Sequence, residues 1–117
     1  MSDNKQTAAT SYTCEAQQRL LFVQSALAGH EVNGLSMTEI SAAWAQRVGK
    51  TVANQKNNIF RDLQNLKLSG YAEQLPDSER WRLGARVVQT ALDHLRGMER
   101  ATSRLEETRQ RYSRQAN

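Results

Sequence analysis

A chain of 117 residues has room for one compact domain, and a content of 38% hydrophobic and 6% aromatic residues is low for packing all of it, so part of the chain is expected outside the core. The single cysteine, Cys14, excludes an internal disulfide framework; the polar opening MSDNKQTAATS lacks the apolar run of a signal peptide, and no stretch nears the roughly 20 apolar residues of a membrane span. A soluble, cytoplasmic protein without a membrane partner is expected, and its net charge of +4 is compatible with a nucleic-acid partner where the charge is gathered.

In chain order, residues 1–13 are small and polar without periodicity and read as a flexible arm. From Glu15 to about His30, the apolar residues Leu20, Leu21, Val23, Ala26 and Leu27 recur near helical spacing and predict a first amphipathic helix, ended by Gly29 and the Asn33-Gly34 pair. Leu35-Ser36-Met37-Thr38-Glu39-Ile40 then carries the sharpest local signal. Ser36 followed three residues later by Glu39 fits a capping box, and Leu35 stands where it can staple onto Ile40. A second helix is predicted from here to about Arg47, with a turn at Val48-Gly49 and small residues at Ala42, Ala43 and Ala45 that let a neighbouring helix approach.

A third helix is predicted over about Val52 to Ser69, closed by Gly70, with Ile59, Leu63 and Leu66 inward and Phe60 beside them. Its opposite side holds Asn54, Asn57, Arg61 and Gln64, with Asn58 and Asn65 at the margin; Gln55 and Lys56 fall nearer the apolar side but belong to the first turn. Residues 47–67 carry Arg47, Lys50, Lys56, Arg61 and Lys67 against Asp62 alone, net +4, and residues 86–117 are net +3, so the basic charge sits in two places. Tyr71–Leu75, Pro76–Glu79 and Arg80–Leu83 read as strand, turn and strand, with Arg80 and Arg82 on the face opposite Trp81 and Leu83. Trp44, Tyr71 and Trp81 are expected as core anchors.

Residues 84–117 predict one long helix, weakened in propensity only at Gly97. Val88, Ala91, Leu95, Met98, Thr102, Leu105, Arg109 and Tyr112 alternate spacings of three and four, which is a heptad. Its apolar members Leu95, Met98, Leu105 and Tyr112 mark a dimerisation element, whereas the alternative is a monomeric helix folded back on the first helix with a basic tail beyond.

The predicted fold is mainly α with a short β-hairpin: a winged helix-turn-helix over residues 14–84, followed by a long C-terminal helix over residues 85–117. Three stretches resemble the N-terminal domain of IclR-type bacterial regulators: Leu35 to Ile40, Ile59 through Leu66 ending in Gly70-Tyr71, and Arg80-Trp81-Arg82-Leu83-Gly84. The resemblance implies that Lys56, Asn57, Asn58 and Arg61 lie on or beside the DNA-facing side of a recognition helix. The stretch between Ile40 and Ile59 is longer than the family pattern, and no room remains for the family's ligand-sensing domain.

The chemistry expected of these residues is recognition of double-stranded DNA. Asn54, Asn57, Asn58 and Gln64 offer amides suited to adenine edges, Arg61 can reach guanine or phosphate, and the long side chains of Gln55 and Lys56 in the first turn can still reach DNA past the helix end. Lys50 and Thr51 precede the helix where a phosphate can be held, and Arg80 and Arg82 suit backbone contact from the hairpin. The corresponding function is a sequence-specific transcriptional regulator, a repressor acting as a homodimer; the alternative is a winged-helix module that binds a partner protein through its C-terminal helix. Nothing points to catalysis, a cofactor or a metal: His30 and His94 have no flanking carboxylate motif, and Gly49-Lys50-Thr51 matches only the tail of a phosphate-binding loop.

Overall fold

The computed structural model describes residues 12–116, so the expected N-terminal arm lies outside the described residues except for Tyr12 and Thr13. The chain is mainly helical and runs α1 (Glu15–Ala26), α2 (Met37–Val48), a single 3-10 turn (Val52–Asn54), α3 (Lys56–Leu68), β1 (Ala72–Gln74), β2 (Trp81–Leu83) and α4 (Ala85–Ala116). It divides into two compact units between Ala85 and Arg86.

In the first unit, α1, α2 and α3 pack on one another around Val23, Leu27, Ile40, Trp44, Ile59, Leu63 and Leu66, to which the hairpin adds Ala72 and Trp81. Local signals set the helix ends. The Ser36 hydroxyl accepts the Glu39 backbone N–H at 3.1 Å while the Glu39 carboxylate accepts the Ser36 N–H at 3.4 Å, which satisfies two donors the first turn of α2 would otherwise leave open. Gly49 ends α2 in the left-handed conformation, at φ 68°. Of the small residues on α2, Ser41 and Ala45 are buried in the helix contact, whereas Ala42 and Ala43 face outward. Phe22 tilts against Trp44 with ring centroids 5.2 Å apart, and Arg47 lies over Phe22 at 5.3 Å.

The third helix departs from its predicted start. Val52–Asn54 forms a 3-10 turn, Gln55 turns inward and is only 5% exposed, and regular α geometry begins at Lys56, with the Ile59 N–H donating to the Gln55 carbonyl. The segment from Val52 to Leu68 is therefore a short turn followed by a helix, not the single helix that apolar spacing predicts.

The hairpin pairs Ala72 with Leu83, Glu73 with Arg82 and Gln74 with Trp81 in an antiparallel ladder, shorter than predicted at both ends. Leu35 adds a bridge on the other side of Trp81, exchanging two backbone hydrogen bonds of 2.8 and 2.7 Å with it. This contact ties the segment before α2 to the hairpin. It is possible because Gly34, at φ 67°, puts no Cβ where the Leu75 side chain and the Trp81 carbonyl already sit.

The second unit, from Arg86 onward, is the remainder of a single unbroken helix, α4, which passes through Gly97 without interruption. Among the described residues no helix is long and apolar enough to cross a membrane.

Candidate nucleic-acid interface

α3 has two chemically distinct sides. Inward, Ile59, Leu63 and Leu66 enter the core, and Asp62 follows them, bound by Arg19 from α1 through Nε to Oδ2 at 2.6 Å and Nη2 to Oδ1 at 3.2 Å. Outward, Lys56, Asn57, Arg61, Gln64, Asn65 and Lys67 are exposed, and Asn58 sits half-buried at the edge. Because the helix's one acid is turned inward, every charged side chain that α3 exposes is basic. Lys56, Arg61 and Lys67 make no ion pair among the described residues.

The structure exposes Asn57, Arg61 and Gln64 on this outer side, with Lys56 exposed in the first turn and Asn54 on the turn just before it. Asn65 is anchored to the helix itself, its Nδ2 donating to the Arg61 carbonyl at 2.9 Å. Two apolar side chains that the amide-and-base pattern did not single out share the surface: Phe60, about half exposed at 51%, and Leu68, at 88%. Phe60 lines a groove of about 490 Å³ between α3, the start of α2 and the hairpin, together with Met37, Thr38, Gln64, Gln74 and Trp81.

Four of the expected contact residues are buried or engaged within the first unit. Gln55 is buried, so its amide is not available at the surface. Lys50 is engaged by Glu15, Nζ to Oε1 at 2.6 Å, and this bond is the main reason the Glu15 carboxyl is held below its ordinary range. Arg80 clamps the loop before α2: Nε donates to the Asn33 carbonyl at 2.8 Å and Nη2 to the Gly34 carbonyl at 3.1 Å, while Nη2 also meets Glu39 Oε1 at 2.9 Å. Arg82 donates to Glu73 across the ladder at 2.6 Å and to the Glu31 carbonyl at 3.4 Å. Strand alternation put both arginines on the outer face of the hairpin, but the loop carrying Glu31, Asn33 and Gly34 supplies their partners. Thr51 remains exposed, at the cap of the 3-10 turn, without a side-chain capping bond.

The surface is therefore asymmetric. The hairpin tip exposes Asp77 and Glu79, and the N-terminus of α2 is already occupied by its own Glu39 carboxylate, so free positive charge in this region belongs to α3. Among the described residues no group of three or more His, Cys, Asp or Glu side chains is placed to hold a metal ion. On α4, Leu95, Met98, Leu105 and Tyr112 are all exposed. No family model, curated protein or solved structure matches the chain.

Proposed function

We propose that the first unit is a winged helix-turn-helix domain, similar to that of IclR-type regulators, and that it binds double-stranded DNA with the outer side of α3 in the major groove as a sequence-specific transcriptional regulator. The observation that carries the reading is the composition of that outer side: exposed amides and bases at Asn57, Arg61 and Gln64, with Lys56 at the helix start and no exposed acid. Solvated helix faces ordinarily mix both charges, whereas a helix that approaches phosphates gains from excluding acids. The element order supports the fold assignment, as does the Leu35 bridge, which gives the hairpin a third partner segment.

In this reading Asn57, Gln64 and Arg61 reach base edges, and Lys56, with Asn54 and Thr51 near it, touches phosphate. The hairpin contributes shape and rigidity; its arginines are spent on the loop before α2, so base readout rests on α3.

The test is selection of binding sites from a random duplex library, followed by anisotropy titration of the selected duplex. Asn57→Ala, Arg61→Ala and Gln64→Ala combined are expected to abolish discrimination between selected and scrambled duplexes, each lost base contact costing about 1–3 kcal/mol. Undiminished discrimination by the triple variant refutes the assigned surface.

A further inference from the structure

We infer that α4 pairs with the α4 of a second copy of this chain as a parallel, in-register, two-stranded coiled coil. Val88, Leu95, Met98, Leu105 and Tyr112 line one side of a helix unbroken from Ala85 to Ala116, and each is more than half exposed. With Ala91, Thr102 and Arg109 filling the places between them, the stripe steps by three and four residues, about 3.5 on average, so on a helix of 3.6 residues per turn it winds slowly round the axis, which is the pattern a left-handed supercoil keeps in contact. Val88, Leu95, Thr102 and Arg109 fall at position a of the heptad, and Ala91, Met98, Leu105 and Tyr112 at position d.

Charge beside the seam selects both the partner and its direction. Acids occupy position e, at Glu99 and Glu106, while position g holds His94, Ala101 and Thr108 and no acid. In a parallel pair each e residue faces a g residue of the other helix, so Glu99 meets His94 and Glu106 meets Ala101. In an antiparallel pair e faces e, and the glutamates of the two chains are brought together. A second copy laid parallel is thus the complementary occupant.

The seam's one charged member is matched within its own helix: Arg109 donates from Nη2 and Nε to the two carboxylate oxygens of Glu106 at 2.9 and 3.3 Å. Opposite the seam, Arg96, Arg100, Arg104, Arg111 and Arg114 take positions b, c and f. Two strands leave those guanidiniums in water, whereas a larger bundle draws b and c positions toward neighbouring helices and crowds like charges. The stoichiometry is therefore two.

This pairing does not rest on the DNA reading, and its test contains no nucleic acid, so the two can fail separately. Sedimentation of the full chain at micromolar concentration is expected to give a species of twice 13.2 kDa. Leu95→Asp with Leu105→Asp is expected to give single chains that keep the fluorescence of the buried Trp44 and Trp81, which shows that the first unit remains folded. For direction, Cys14→Ser removes the one native cysteine and Val88→Cys places a thiol at one end of the seam. Mild oxidation is expected to link the two chains there, because a parallel register brings equivalent a positions within disulfide reach and an antiparallel one separates them by most of the helix length. Single chains in the wild type, a dimer that survives the Leu95 and Leu105 changes, or a dimer that Val88→Cys does not link would each overturn the inference.

Discussion

Arg19 reaches from α1 to the inner side of α3, where Nε donates to Asp62 Oδ2 at 2.6 Å and Nη2 to Oδ1 at 3.2 Å. The two side chains are 12% and 8% exposed, so the pair is shielded enough for its geometry to matter, unlike ion pairs in open water. It locks the helix that carries the candidate interface and withdraws that helix's only acid from the surface. Breaking a buried pair on one side strands a charge and costs about 3–5 kcal/mol, whereas exchanging both members for apolar residues of similar volume is often neutral. Asp62→Ala is expected to lose about that much in urea unfolding followed by tryptophan fluorescence, and Arg19→Met with Asp62→Leu to recover most of it. A loss below about 1 kcal/mol in the single variant would show that the pair does not hold α1 to α3.

Two glycines make opposite predictions for the same added methyl. At Gly84 a Cβ would collide with the Gly70 carbonyl, meet the Gly70 carbonyl carbon at 2.9 Å and the Ala72 nitrogen at 3.0 Å, all backbone atoms that cannot step aside. Gly84→Ala is expected to destabilise the first unit by about 1–3 kcal/mol, the usual range for overpacking. At Gly97 the nearest atom to an added Cβ is the mobile Arg100 Nη2, 3.7 Å away. Gly97→Ala is expected to raise helicity and add about 0.8–1 kcal/mol to α4, as an unobstructed helix-interior exchange does. Thermal melts monitored by tryptophan fluorescence and by far-ultraviolet dichroism separate the two effects, and equal signs would contradict the packing described.

The capping box carries a pH signature. The Glu39 carboxyl is held below the ordinary value of 4.5 first by the Ser36 hydroxyl, then by the Ser36 backbone N–H, with Arg80 adding to the effect. A carboxyl whose pKa is depressed on folding contributes stability that is present above 4.5 and is lost as pH falls through its lower folded value. Glu39→Gln keeps the size and one acceptor but removes the charge. Its melting temperature is expected to fall below that of the wild type at about pH 7 and to converge with it as pH falls through the carboxyl's lowered folded value, and a gap that stays constant throughout would rule the linkage out.

What could be read from the residues in advance was what short range determines. Ser36 and Glu39 announce the start of α2 because a capping box needs only its own four residues, and Ile59, Leu63 and Leu66 announce the inner side of α3 because 3.6-residue periodicity is a local property. Asp62 and Arg80 are hidden because their partners lie far along the chain. Nothing near Asp62 indicates that Arg19, forty-three residues earlier, meets it, and strand alternation alone cannot show that the loop at Asn33 and Gly34 covers the hairpin arginines. The Leu35–Trp81 bridge belongs to the same class, since one paired residue leaves no periodic trace.

That division of labour among the arginines gives the sharpest prediction. Arg80 and Arg82 donate to backbone carbonyls of the loop before α2, so each is expected to contribute about 0.5–1.5 kcal/mol, the usual net worth of such hydrogen bonds. Arg61 is exposed with no ion pair among the described residues, and its replacement is expected to change stability by less than about 0.5 kcal/mol. DNA affinity should order them the other way. Arg61→Ala is expected to weaken binding and, where the lost contact is to phosphate, to lower the slope of log affinity against log salt by about 1. Arg80→Ala and Arg82→Ala are expected to leave that slope unchanged at temperatures where the first unit stays folded. A reduced slope in the hairpin variants with no loss of stability would move the contact from α3 to the hairpin, because each positive charge that neutralises a phosphate adds to the slope.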